Sequence, residues 1–334
     1  MRREASAPAP APRNAFPKLI GWQGLTVRVP ESWDLTGFSG DDASGYLRID
    51  DGEQEQAVEI KWATEPKRAK TAPDVTVRRE SYFRALRTTA KKKRLALTTK
   101  DTDAPKGAAR PERTATGFTW VGDRKGVGAV WYCATCRRVV IAQVLGDPSG
   151  KGGLGSAAEK ILGSLECHSA DPDWRTWALY DLETRVPADY KLVGQQLMNV
   201  YLRLSFAKGT ARLSVEQWAV ANVARRDSYL DVWLGSNSKG EMASARYGAD
   251  EAEGGMHGHP AVALNGGLAF GMPMVDAVKD AGRQFKLPAT RFTGVAWQCD
   301  TANKIFLVES LRPAREPDVT REVAERTVCH GGTT

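Results

Sequence analysis

Residues 128–144 read GAVWYCATCRRVVIAQV and residues 294–310 read GVAWQCDTANKIFLVES; the fold turns on whether these are one pattern written twice. In each, an apolar run with Val and Trp ends at a cysteine, crosses a short polar turn and resumes as a second apolar run, the pattern of two antiparallel strands. Working outward, WQGLTVRVPESWDL (22–35) is answered by WALYDLETRVPADYKL (177–192), and GYLRIDDGEQEQAVEIKW (45–62) by VYLRLSFAKGTARLSVEQW (200–218). LECH (165–168) is answered by TVCH (327–330). Order is preserved, and the offsets run only from 155 at Tyr46 to 166 at Cys133, which are loop-sized differences. Matches in register at this period indicate an internal duplication. Trp62 with Trp218, and Trp131 with Trp297, then read as core residues of two related lobes.

Each copy has the same grammar. In the first, strands are expected at 25–29, 46–50 and 56–62, a helix at 78–97, strands at 116–122, 127–133 and 138–144, and a closing helix opened by a Ser156–Glu159 capping box. In the second, the expectation is a helix at 217–233, strands at 258–264, 293–299 and 304–310, and a closing helix at 318–328. This pattern predicts an α+β protein of two related lobes, each an antiparallel sheet covered by helices on one face, arranged as an intrachain pseudo-dimer. A disordered Ala/Pro-rich tail is expected at 1–18, the first lobe at 19–170 and the second at 171–334, with an insertion at about 235–257. The stretch 269–288 is expected to hold a short helix with no counterpart in the first copy. The order of elements, and the opening WQGLTVRVPESWDL, resemble the Mog1/PsbP-like domain. That resemblance implies a non-enzymatic role, since such relatives are mostly regulators and assembly factors.

The formal charge of +7 is unevenly spread. Residues 1–170 hold 28 Lys/Arg against 20 Asp/Glu, whereas 171–334 hold 19 against 20. The densest stretch, 78–97, carries Arg78, Arg79, Arg84, Arg87, Lys91, Lys92, Lys93 and Arg94, either a solvated helix face or a surface for an acidic protein partner. Nucleic acid is the other polyanion such a field attracts, but no alternating aromatics accompany it as a stacking platform. No apolar run approaches the length of a membrane-spanning helix. The start, MRREASAPAPAPRNAFPKL, lacks the apolar core of a secretory signal, so a cytoplasmic location is expected.

Five cysteines and four histidines fall in matched places. Cys133 and Cys136 flank a turn, and Cys167-His168 follows the first closing helix, together a Cys3His set of the kind that holds structural zinc. The second copy keeps Cys299, Cys329 and His330, has Ala302 where the second turn cysteine would stand, and adds His257 and His259 ahead of a neighbouring strand. Adjacent residues rarely reach one ion together, so His168 is expected to turn away. The alternatives are Cys133–Cys167 and Cys299–Cys329 disulfides, or buried free thiols. No G-x-S-x-G elbow is present, and GDPSGKGGLGS (146–156) fails the phosphate-loop spacing. These readings lead to a zinc-stabilised scaffold or protein-binding component of a cytoplasmic assembly. The rivals are a metal-dependent enzyme with an open Cys/His site in the second lobe, and nucleic-acid binding through the basic helix.

Overall fold

The structure, a computed structural model, describes residues 16–53, 56–69, 71–149, 153–226, 228–237, 240–268 and 290–330. The chain divides into two compact units, Met1–Ala170 with Ala178–Tyr180, and Asp171–Trp177 with Asp181–Thr334. Most of the expected tail, 1–15, and the helix expected at 269–288 lie outside the described residues.

In the first unit, β1 (Lys18–Trp22) and β2 (Leu25–Val29) form a hairpin. Its two-residue turn is Gln23-Gly24, both with positive φ, as the strand twist requires. Then follow β3 (Asp34–Gly40), β4 (Ser44–Asp50), β5 (Ala57–Thr64), α1 (Val75–Lys93), β6 (Thr98–Thr102), β7 (Arg113–Val121), β8 (Lys125–Cys133), β9 (Arg138–Gly146) and α2 (Leu154–Ser164). Seven of these strands form an antiparallel sheet in the order β3-β4-β5-β9-β8-β7-β6. After β10 (Trp174–Leu179), whose last two residues are assigned to the first unit, the second unit runs β11 (Leu182–Pro187), β12 (Lys191–Met198), β13 (Tyr201–Lys208), β14 (Ala211–Ala219), α3 (Ala221–Arg225) and α4 (Leu230–Asn237). It continues with a 3-10 turn (Glu241–Ser244), β15 (Ala245–Glu251), β16 (Ala261–Leu268), β17 (Thr290–Cys299), β18 (Lys304–Pro313) and α5 (Thr320–Glu325). Its seven-stranded sheet has the order β12-β13-β14-β18-β17-β16-β15, the same succession of strands as the first. Even the bulges coincide: the pairing slips between Leu35 and Gly37 in β3, and between Leu192 and Gly194 in β12.

The central strands are buried on both faces, which is why they read as nearly unbroken apolar runs. In β9, odd-numbered Val139 and Leu145 join Phe83, Phe118 and Trp120 beneath α1, while even-numbered Val140, Ala142 and Val144 are equally buried on the opposite face. Helix α2 packs there, on β8, β9 and β2. Cover on a single face is therefore corrected to cover on both. No helix of the described residues is long and apolar enough to cross a membrane.

Several local expectations change. Helix α1 begins at Val75 because the Asp74 carboxylate accepts the N–H groups of Thr76 (2.8 Å) and Val77 (3.3 Å). It stops at Lys93 because Arg94 turns left-handed, so residues 94–97 are not helical. Replacing Asp74 with Ala is expected to destabilise the first unit by about 1 kcal/mol, read from urea midpoints; an unchanged midpoint would show that the cap contributes nothing. Residues 217–219 remain in β14, paired on both sides, and the single helix expected at 217–233 is replaced by α3 and α4. The capping box fails: α2 opens at Leu154 behind Gly153, with Ser156 inside the helix and no side-chain cap. The closing helix of the second unit is only Thr320–Glu325. The supposed insertion contains the end of α4, the 3-10 turn and edge strand β15, which pairs along its length with β16.

Trp131 and Trp297 are fully buried, as a core role requires. Trp62 and Trp218, however, are not equivalent. Trp218 lies in the cluster with Ile305, Trp233 and Leu234 of α4. Trp62 pairs across β5 and β9 with Val140, on the face away from α1.

Candidate metal centres

In the first unit β8 ends at Cys133, and a turn closed by Arg137 N–H donating to the Cys133 carbonyl (2.9 Å) brings Cys136 back beside it. Arg137 takes a positive φ to complete the turn. The segment after α2 is pinned from three sides. Glu166 exchanges backbone hydrogen bonds with Thr26, the Arg113 guanidinium donates to the Leu165 carbonyl (3.0 Å), and Arg138 donates to the Cys167 carbonyl (3.1 Å). So held, Cys167 and His168 both face the turn, and the expectation that His168 turns away is corrected.

The donor atoms of Cys133, Cys136, Cys167 and His168 all lie within 4.8 Å of one another. Cys136 and Cys167 sulfurs are 3.6 Å apart, and His168 Nδ1 is 3.7 Å from the sulfurs of Cys133 and of Cys167. A tetrahedron with Zn–S of about 2.3 Å and Zn–N of about 2.05 Å has edges of about 3.8 Å (S···S), about 3.5 Å (S···N) and about 3.3 Å (N···N). The distances follow those edges. Cys133 and Cys167 are fully buried, and Cys136 and His168 half-buried. Hydrogen bonds from the Cys136 and Cys167 thiols pull Cys133 strongly toward thiolate, while the same contacts and burial hold those two protonated. A divalent cation among them would replace these protons.

The second unit builds an equivalent cluster from a different set. Cys299 ends β17, and Ala302, in the place of Cys136, donates only its backbone N–H to the Cys299 sulfur (3.4 Å). Val328 donates to the Glu183 carbonyl (2.9 Å), fixing the tail on β11, and Cys329 and His330 follow. The fourth donor is His259. A tight turn between Met256 and His259, with His257 and Gly258 both at positive φ, sends residues 257 and 259 in different directions. His330 Nδ1 lies 3.4 Å from His259 Nε2, 3.3 Å from the Cys299 sulfur and 3.0 Å from the Cys329 sulfur. All four donor atoms are within 4.8 Å of one another. Burial and the neighbouring Cys299 push the Cys329 thiol up to about 11. His257 is excluded: its Nε2 meets the Ala324 carbonyl at 2.9 Å and its ring lies against Trp297. All five cysteines are free, so the disulfide alternative is set aside.

The two clusters differ by a paired exchange that sequence inspection missed. Arg113 stands opposite Cys133 in the β7–β8 register. Carried two residues beyond its last pair, Ala261 with Trp297, the β16–β17 register puts His259 opposite Cys299. Where the first unit has a third cysteine and a buried guanidinium, the second has alanine and an imidazole within the cluster. A divalent ion with three thiolates would carry one net negative charge and with two would be neutral; the Arg113 guanidinium beside the first set is itself paired with Glu166 (3.1 Å).

The basic stretch is not a uniform surface. Arg79 is buried (6% exposed) and bonds Thr116 and Asp101, so it is corrected from a partner-binding residue to a structural one. Arg78 pairs with Glu65, and Arg87 donates to Thr99. Arg84 and Lys91–Arg94 are exposed, the last four clustered at the helix C-terminus, where cations suit the dipole.

A second buried cluster lies beneath the 3-10 turn Glu241–Ser244. Glu216 on β14 and Glu309 on β18 are both fully buried. Glu216 accepts from Tyr201 Oη (2.5 Å), with Arg203 Nε at 3.5 Å. Glu309 accepts from Ser214 Oγ (2.9 Å) and from the N–H groups of Glu241 (2.5 Å) and Met242 (2.8 Å). Burial, and then the Glu309 charge, push Glu216 up to about 8. Gly240 is obligatory here, since a Cβ would stand 1.6 Å from Glu309 Oε1. Gln143 is the first unit's counterpart of Glu309, ten residues beyond Cys133 as Glu309 is beyond Cys299.

No protein-family model and no curated protein matches the chain. Among solved structures it is similar to the solution structure of cyanobacterial PsbP (CyanoP) from Synechocystis sp. PCC 6803, at 10% identity and a TM-score of 0.32, over 47% of this chain and 97% of that one.

Proposed function

We propose that this chain is a non-enzymatic, protein-binding scaffold made by tandem duplication, each unit stapled by one structural zinc ion. The observation that carries the reading is the pair of four-donor Cys/His sets, each joining the turn between the last two strands to the tail behind the closing helix. Four protein donors favour a closed coordination sphere, whereas a catalytic zinc keeps a position for water. The exchange of Cys136 and Arg113 for Ala302 and His259 supports it further, because the donor lost at one turn is regained at another and each set keeps four. A pseudo-dimeric arrangement and a cytoplasmic location belong to this proposal, as does an acidic protein partner for Arg84 and Lys91–Arg94. Nucleic acid is the weaker partner, since no alternating aromatics accompany those cations in the sequence of 78–97.

Elemental analysis of tag-free protein tests it. The expected result is two zinc ions per chain, falling to one in Cys136→Ala and to one in His259→Ala. Reversing Lys91, Lys92, Lys93 and Arg94 to Glu is expected to abolish partner capture at full zinc content. Protein that neither contains zinc nor takes it up would overturn the staples; unchanged capture would overturn the contact surface.

A further inference from the structure

We propose that the cleft between the C-terminal half of α1 and the sheet of the first unit binds a small amphipathic anion, a medium-chain or aryl carboxylate. Helix α1 seals its first half with Val75, Arg79 and Phe83, all buried. Beyond them only half-buried Leu86 and Ala90 face the sheet, while Thr89 and Lys93 are exposed at the mouth, so the second half of the helix leaves a gap. A cavity of about 330 Å³ remains. That is the small end of ligand-binding volumes, suited to a short apolar body rather than a nucleotide.

The lining is divided. Leu86, Leu97 and Leu145 supply an apolar wall. The floor is a wired polar network in which Glu59 accepts from Tyr46 Oη (2.9 Å), Arg48 (3.2 Å) and Gln143 (3.0 Å). Gln143 in turn accepts from Tyr82 Oη (2.8 Å) and Trp120 Nε1 (2.9 Å). Glu59 and Gln143 are thus engaged with one another and with the protein. Lys61 is different: its ammonium sits 5.8 Å from the Tyr46 ring centroid and 5.9 Å from that of Tyr82, with no carboxylate within 4.0 Å among the described residues. Of the lining cations, Arg48 is bound to Glu59 and Asp50, while Lys61 and Lys93 are exposed at the mouth. An apolar body against the leucines with its carboxylate at Lys61 and Lys93 satisfies both halves. In the second unit the space under the helices is occupied by Trp218 and Trp233, edge to face at 5.3 Å, and by buried Met242.

The probe is 1-anilinonaphthalene-8-sulfonate on the full chain with its metal, displaced by decanoate or by neutral decanol. The expected result is one saturable site per chain, from which decanoate displaces the dye at least tenfold better than decanol does. Lys61→Glu, at the exposed mouth, should weaken decanoate at least tenfold with an unchanged melting temperature. Ala90→Trp should abolish the site by filling it. Absence of saturable binding, equal potency of decanoate and decanol, or binding indifferent to both substitutions would overturn the proposal. If Ala90→Trp fails to fold, Lys61→Glu decides alone.

Discussion

Serine in place of Cys167 is expected to lower the melting temperature of the first unit by well over 10 °C while leaving the transition of the second unit in place, and Cys329→Ser is expected to do the reverse. The magnitude follows from comparing two energies. A structural zinc site contributes an apparent binding free energy of about 10–16 kcal/mol at neutral pH. A whole domain is stable by only about 5–15 kcal/mol. Each tail is otherwise held by a few hydrogen bonds, among them the Glu166–Thr26 pair in the first unit and Val328 to Glu183 in the second. Such bonds are worth about 1 kcal/mol each. Calorimetry with and without a zinc chelator makes the measurement. Chelation should lower both transitions in the wild type and only the intact unit's in each variant. Variants that melt within a degree or two of wild type, with chelator having no effect, would leave the cysteines as buried thiols.

The buried acid pair sets the second large effect, with a definite sign. Glu216 holds its proton in the fold up to about 8, against an ordinary value of 4.5. Between these values the folded chain binds more protons than the unfolded chain, so stability falls as pH rises through that window and levels off above it. The loss is on the order of a few kcal/mol, since each unit of displacement is worth about 1.4 kcal/mol. Glu216→Gln mimics the protonated form: its amide can donate toward Glu309 and its carbonyl can accept from Tyr201. The variant should melt several degrees above wild type at pH 8.5, match it near pH 4.5, and show a flattened slope between. The melting of the second unit across pH 5 to 8.5 is the measurement, and an identical slope in both proteins would remove the acid pair as its cause.

What could be read from residue order was the material buried most deeply. The apolar runs around Cys133 and Cys299 are central strands with neighbours on both sides, so their composition reports their burial directly. The matched CH dipeptides likewise announced the two clusters. The edge strands were not legible: TTKDT (98–102) and ARYGADE (245–251) are polar and largely exposed, and become strands by pairing with β7 and β16. The helix expected at 217–233 failed for a related reason, since strand neighbours on both sides claim residues 217–219.

The sequence by itself determined the α+β pattern, the doubled order of strands and three of the four donors in the second cluster. Only the tertiary structure decided that His259 and not His257 completes it. The choice rests on a left-handed turn at His257-Gly258 that points the two imidazoles apart. Arg79 was likewise indistinguishable from its exposed neighbours until Thr116 and Asp101, distant in sequence, supplied its partners. In both cases the side chain's role follows from backbone direction and from groups brought in by strand register, and neither is local information.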